Sequence, residues 1–210
     1  MKIDNIANWE NWMDSLAEDD FVVIDDFLSA ESLQILLSYF HQKEKENAFS
    51  KAAIGQTGDE LVIKEIRGDY TYWLDNKTDI QLTAIFEILE EAKNKLNQLC
   101  YLSLSHYEFH LAHYPIGSFY KKHLDQFKNR NNRMISMIIY LNDNWQEGDG
   151  GELKVYPKGK NQQLIPPLMN RCVMFKSADL PHEVIKTNVG RKSLTGWMLY
   201  LPTPLAVIQN

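Results

Sequence analysis

Cysteine is scarce. Only Cys100 and Cys172 occur in 210 residues, far apart and without metal-type spacing, so neither a disulfide framework nor a cysteine-built zinc site is implied. Cys172, inside the apolar run from Arg171 to Phe175, reads as a small buried residue. No apolar run approaches the roughly 20 residues that cross a bilayer, and Met1 to Glu10 carries neither the basic nor the apolar block of a secretory leader. The expectation is a cytoplasmic protein without a membrane partner. Positive charge is also short, with 22 Lys and Arg against 28 Asp and Glu and a net charge of −6. That balance argues against a protein that lives on nucleic acid phosphates. A local exception is Lys121, Lys122, Lys128, Arg130 and Arg133, which reads either as a solvated loop or as a patch that attracts an acidic cofactor or partner. Internal repeats and low-complexity stretches are missing, and apolar and charged contents of 44% and 24% exclude disordered and collagen-like classes.

What is present is enough chain for one domain with a proper core. Ile6, Trp9, Trp12, Met13 and Leu16 recur at helical spacing, and Phe21 to Asp25 is a β-branched run that reads as a strand. Ser29 is placed to cap a helix carrying Leu33, Leu36, Leu37 and Phe40. Phe49 to Glu60 is loop-like, and Leu61 to Leu74 reads as strand with a turn at Gly68-Asp69. A longer helix is expected from a capping box at Thr78, with Leu82, Ile85, Phe86, Leu89, Ala92, Leu96 and Leu99 on one face. After about Ser103 the texture changes to short strands: 104–114, 119–123, 134–141, 152–156, 171–175, 183–186 and 193–201, with glycine turns at 148–151 and 158–160. Helices first and strands afterward imply an α+β fold, with helical support and flanking strands in residues 1–102 backing a two-sheet β core in 103–201.

The chemistry sits among these strands. His123-Leu124-Asp125 is a weak signal alone, since His-x-Asp is common by chance, but it is answered downstream by His182 and then by Arg191. Two imidazoles and one carboxylate match the facial triad that holds non-haem Fe(II) with open positions. Three such ligands would equally suit a Zn²⁺ hydrolase, which leaves Arg191 without a role. Period-two alternation puts Arg191, Ser193, Thr195 and Trp197 on one face, and Met134, Ser136, Ile138 and Tyr140 on one face of their strand. Polar residues there suggest a lined cavity. An inward Arg191 needs an anion, either a structural acid or a bound carboxylate, and a buried Tyr140 hydroxyl needs a partner. Lys192 and Glu183 should face the other way. His110 shares the face of Tyr114 and reads as a structural residue or as a third imidazole near the cavity, while His41, His106 and His113 read as ordinary.

These residues carry a resemblance. Ile66-Arg67-Gly68-Asp69 with Trp73, Tyr114-Pro115 with Tyr120, His123-Leu124-Asp125, Tyr140-Leu141-Asn142, Gly150-Gly151-Glu152-Leu153, His182-Glu183-Val184 and Arg191 through Trp197 occur in the order seen in Fe(II)- and 2-oxoglutarate-dependent dioxygenases of the prolyl 4-hydroxylase type. The chain resembles the hypoxia-sensing prolyl hydroxylases and their bacterial counterparts. Each motif is weak, and the ordered set is specific. The resemblance implies a double-stranded β-helix, or jelly-roll, with Fe(II) on His123, Asp125 and His182. It also implies 2-oxoglutarate anchored by Arg191 and Tyr140, with Tyr114, Leu153, Thr195 and Trp197 around it, and ascorbate as a candidate reductant. Asp69 and Arg133 are expected to pair across the mouth. A prolyl residue in a protein or peptide is the expected substrate, with the basic loop from Gln126 to Arg133 placed to close over it. The segment from Asp75 to Thr78 is short where animal members carry a substrate-covering loop. Two alternatives stay open: an oxygenase acting on a small molecule or free amino acid, and a non-catalytic jelly-roll that binds peptides.

Overall fold

The structure, a computed structural model, describes residues 6–52, 67–126 and 131–201. The expected loop beyond residue 52, the strand reading for Leu61 to Ile66, and Lys128 and Arg130 of the basic loop lie outside the described residues.

Eleven strands are present among the described residues: β1 (Phe21–Ile24), β2 (Ser50–Lys51), β3 (Tyr70–Trp73), β4 (His106–Tyr114), β5 (Tyr120–His123), β6 (Arg133–Tyr140), β7 (Leu153–Val155), β8 (Gln163–Ile165), β9 (Cys172–Lys176), β10 (His182–Val184) and β11 (Arg191–Leu199). They form a seven-stranded sheet in the order β1-β9-β6-β11-β4-β3-β2 and a four-stranded sheet in the order β5-β10-β7-β8. Every named pairing is antiparallel. One apolar cluster joins the sheets through Ala112, Tyr114, Ile138, Tyr140, Val173 and Phe175 on the larger and Leu153, Val155, Ile165 and Val184 on the smaller. This is the expected jelly-roll. The β8 strand was not expected; its short Gln-Leu-Ile sequence offers no alternation long enough to read.

The helices cover the opposite face of the large sheet. In α1 (Ile6–Asp19), Trp9, Met13 and Leu16 are buried against it. In α2 (Ala30–Lys45), the Ser29 side chain accepts the Ser32 amide proton as the cap expected from sequence. The third helix, α3 (Thr83–Cys100), begins later than the Thr78 capping box suggested, after a 3₁₀ turn over Ile80–Leu82. Asp79 explains the shift: its carboxylate accepts from Tyr39 Oη (2.6 Å), Tyr72 Oη (2.9 Å) and the Asp75 amide (2.8 Å). Those tertiary bonds bury it as a tie between α2, β3 and the helix start, and the local capping pattern is overridden.

Alternation along β4, β6 and β11 sorts side chains between helices and cavity. Ile135, Met137 and Ile139 face the helices with Phe109, Leu111, Leu194 and Met198. Met134 departs from the expected cavity face and packs on the helix side. The β6–β11 register slips between Met198 and Leu199, whose partners are Ile135 and Arg133, so Met134 is the extra residue of a bulge. Gly196 lets β11 and β4 come together, because a Cβ there would lie 2.2 Å from the Glu108 carbonyl oxygen and 2.4 Å from the Phe109 ring.

Candidate active site

Between the sheets lies a cavity of about 260 Å³, several times the roughly 30 Å³ that one water occupies in the liquid. At one end stand His123, Asp125 and His182, whose donor atoms all lie within 4.8 Å of one another. Strand pairing brings the distant residues together: His182 of β10 is the register partner of His123 of β5. Asp125 Oδ1 is 3.4 Å from His123 Nε2, and Oδ2 is 3.7 Å from His182 Nε2.

The ring nitrogens are assigned by their neighbours. His123 Nδ1 is 2.7 Å from the Lys121 carbonyl oxygen and His182 Nδ1 is 3.0 Å from that of Leu180. A carbonyl only accepts, so both rings carry the proton on Nδ1 and turn an Nε2 lone pair to the centre. Tyr120 stacks on His123 at 3.6 Å and Phe175 meets His182 edge-on at 4.6 Å, which limits ring rotation. Burial lowers the His182 pKa, against the opposing pull of Asp125, and so favours the neutral imidazole that a metal needs. For Asp125 burial acts upward, but His182, His123 and the Ser136 hydroxyl overcome it and hold the carboxyl well below its ordinary range. The chemistry of the set, two imidazoles and one carboxylate, fits a divalent first-row metal.

The other end of the cavity is built for an anion. Arg191 is 2% exposed, its Nε donates to the Gly151 carbonyl (2.9 Å), and it lies over the Tyr114 and Tyr140 rings at 4.8 and 4.9 Å. No carboxylate partner for it occurs among the described residues, so the structural-acid alternative finds no acid. Tyr140 is fully buried, and among the described residues its hydroxyl meets no partner in hydrogen-bond geometry; burial raises its pKa against the opposing pull of Arg191, so it remains a donor. A buried cation beside an orphaned phenol is costly unless a carboxylate completes it. The Gly150-Gly151 turn permits this approach. Gly151 has a φ of +78°, and a Cβ there would stand 3.2 Å from Arg191 Cδ.

Tyr114, Leu153, Thr195 and Trp197, expected around the cofactor, all line the cavity, as do Trp73, His110, Tyr120 and Leu124. Tyr114 pairs directly opposite Arg191 in the β4–β11 register. Thr195 Oγ1 lies 2.9 Å from Ser193 Oγ. His110 is 3% exposed and packs between Trp73 (4.7 Å) and Trp197 (5.5 Å). Burial, helped by the Arg67 charge, lowers its pKa to about 3. Glu183 faces outward and accepts from Tyr156 Oη, and Lys192 leaves the site to pair with Glu44 at 2.7 Å. His41 and His113 lie near Glu44 and His106 stacks on Tyr107, all outside the cavity lining.

One expected contact is corrected. Asp69 and Arg133 do not pair: Asp69 takes Arg67 Nε at 2.7 Å, and Arg133 takes Glu108 at 2.6 Å while lying 3.5 Å over the Trp197 ring. Register gives the reason. Glu108 sits opposite Trp197 on β4, within reach of Arg133 across β11, and Arg67 shares its side of the chain with Asp69 two residues on. Sequence reading left two contributors without a role. Arg67 lines the cavity and covers the Tyr120 ring at 4.5 Å, and its place beside Gly68-Asp69 was the available signal. Ser136 donates to Asp125 Oδ2 at 2.6 Å, and a serine inside the apolar run of β6 could have flagged it.

Residues 109–199 match the model of the 2OG-Fe(II) oxygenase superfamily. A prolyl-4-hydroxylase of Pseudomonas putida has a similar structure, with 30% identity and a TM-score of 0.83 over 92% of this chain and 99% of that one. Among curated proteins, "Egl nine homolog 1" of Mus musculus is 30% identical over 83% of this chain and 45% of its own length. The "Hypoxia-inducible factor prolyl hydroxylase" of Caenorhabditis elegans is 28% identical over 90% of this chain and 28% of its own length. The chain thus spans less than half the length of these two animal relatives. It belongs to the 2OG-Fe(II) oxygenase superfamily, with the prolyl hydroxylases as its similar members.

Proposed function

We propose that this chain is an Fe(II)- and 2-oxoglutarate-dependent dioxygenase that hydroxylates a prolyl residue in a protein segment. The observation that carries the chemistry is a cavity lined by both a His-Asp-His set and a buried Arg191, with the Tyr140 ring packed behind that guanidinium. A metal-activated water would need the first group only. A dicarboxylate cofactor needs both, one end toward the metal and the other toward a guanidinium and a phenol.

In this reading His123, Asp125 and His182 hold the metal, and Arg191 and Tyr140 hold the far carboxylate. Bound together, iron and 2-oxoglutarate supply the oxidising chemistry: dioxygen is consumed, the oxo-acid is converted to succinate and carbon dioxide, and one oxygen atom enters the substrate C–H bond. The chain's own residues orient and exclude. Nδ1 bonds to Lys121 and Leu180 keep both Nε2 lone pairs aimed inward, and the rings of Tyr114, Tyr120, Trp73 and Trp197 wall the cavity against water.

The substrate class rests on the prolyl hydroxylase relatives and on the mouth. Trp73 and Leu124, both exposed, are on the lining, offering apolar surface to a pyrrolidine ring. Proline-containing peptides, free proline and unrelated small acids, assayed in parallel for hydroxyproline and succinate, test the assignment. Hydroxyproline in a peptide is the expected outcome. Coupled turnover on a free amino acid with none on any peptide would move the substrate to the small-molecule alternative.

A further inference from the structure

We propose that Ser136, backed by Ser177, is a positioning residue for the metal centre: the two hydroxyls form a relay that fixes the rotation of the Asp125 carboxylate and favours its ligation through one oxygen. The inference deepens the metal-binding reading above and rests on it. Ser136 Oγ lies 2.6 Å from Asp125 Oδ2 and 2.9 Å from Ser177 Oγ. The two serines are 1% and 0% exposed.

Counting protons gives the relay a direction. An ionised carboxylate only accepts, and each serine has a single hydroxyl proton. Ser136 must spend its proton on Asp125, so Ser177 must donate to Ser136. Each hydroxyl is thereby committed, and the chain runs one way from Ser177 through Ser136 to the carboxylate. Such chains polarise each bond in turn and stiffen the terminal acceptor.

The surroundings explain why two hydroxyls are kept here. Ser136 is opposite Phe175 on β9 and Trp197 on β11, and Ser177 follows the strand of Cys172, Val173, Met174 and Phe175. A buried hydroxyl among such neighbours costs stability unless bonded, and a pair of alanines would pack there without that demand. The backbone is held separately: Arg133 Nη1 donates to the Asp125 carbonyl at 3.3 Å, and the Ser177 amide donates to the Met134 carbonyl at 3.0 Å, beside the β6 bulge. Main chain and side chain of Asp125 are therefore clamped by different residues, and among the described residues only Ser136 reaches the carboxylate through a hydroxyl. Released, the carboxylate could turn both oxygens to the metal and occupy a position that a chelating cofactor and dioxygen need open.

The experiment loads Co²⁺ into metal-free wild type, Ser136→Ala, Ser136→Thr and Ser177→Ala. It reads Co²⁺ affinity, the visible absorption band of the bound ion and the melting of the metal-free protein. Expected for Ser136→Ala is an affinity loss on the order of tenfold with an altered band, restored by Ser136→Thr, which keeps the hydroxyl. Ser177→Ala should shift both readings the same way by less. A merely structural serine would change melting and leave the band alone. Wild-type affinity and band in Ser136→Ala overturn the relay while the metal reading stands, and a wild-type protein that takes up no Co²⁺ overturns both. Should Ser136→Ala fail to fold, Ser177→Ala decides: an unchanged band there overturns the relay, and a shifted one supports it.

Discussion

The two faces of the seven-stranded sheet are made by alternate residues of the same strands, yet they obey different rules. Toward the helices, β4, β6 and β11 present Phe109, Leu111, Met137, Ile139, Leu194 and Met198, an apolar layer, with the polar His113 and Lys192 on that side meeting Glu44 of α2. Toward the smaller sheet they present His110, Ser136, Tyr140, Arg191, Ser193, Thr195 and Trp197. His110 Nδ1, Tyr140 Oη and Trp197 Nε1 lie on that second face and are buried without hydrogen-bond partners among the described residues. Native interiors keep few such atoms because each costs about 1–3 kcal/mol. The difference teaches that the helix face supplies stability and the cavity face carries function at stability's expense.

The sharpest way to break that comparison is at the metal. His182→Ala should reduce turnover to background and weaken Co²⁺ or Fe²⁺ binding by more than the roughly 100-fold typical of losing a supporting partner of a ligand, with the fold retained because the helix-face core is untouched. Titration of the metal-free protein measures it, and unchanged affinity would remove His182 from the centre.

Leu194→Ala inverts the test on the same strand as Arg191. A fully buried leucine on the helix face should cost about 2–5 kcal/mol of folding stability. The cofactor requirement of the folded fraction should stay near wild type. Denaturant unfolding beside a 2-oxoglutarate titration separates the two, and a cofactor effect without a stability loss would merge the faces.

Arg191→Lys keeps charge and loses the planar fork. The 2-oxoglutarate requirement should rise by about 1.5–3 kcal/mol of binding, read from the concentration giving half-maximal succinate production. Lys192→Ala, which breaks a partly exposed pair with Glu44 and a contact over the Phe40 ring, both away from the cavity, should leave that concentration within the scatter of surface changes. The reverse ranking would mean that the β11 register is shifted by one residue.

The last test is in pH. His110 has an ordinary value of 6.5 and a folded value of about 3, set mainly by burial and next by the Arg67 charge. Between those values the unfolded chain binds a proton that the folded one refuses, so stability falls as pH drops through this window, by up to about 1.4 kcal/mol per pH unit. His110→Met should flatten this part of the acid limb. An identical limb in the variant would show that His110 accepts its proton in the folded state.

Much of the site was legible because a strand's period of two is a property of its backbone. Arg191, Ser193, Thr195 and Trp197 share a face wherever that strand is placed, and the residue types of His123, Asp125 and His182 suit a metal wherever they meet. Ser29 capped its helix as read, since a cap needs only residues three apart.

What distant segments do to one another was not legible. The choice of Arg67 for Asp69 and of Glu108 for Arg133 follows from strand register, as does the bulge that turns Met134 toward the helices. Asp79 displaced the capping pattern at Thr78 because two tyrosines from elsewhere in the chain reach its carboxylate. Ser136 acquired its partner only when the turn after β5 was laid against β6. The sequence by itself determined which groups could do chemistry and which side of a strand each occupies, because those depend on residue type and local geometry. Tertiary structure alone decided which charge meets which, because that depends on where segments far apart in the chain come to rest.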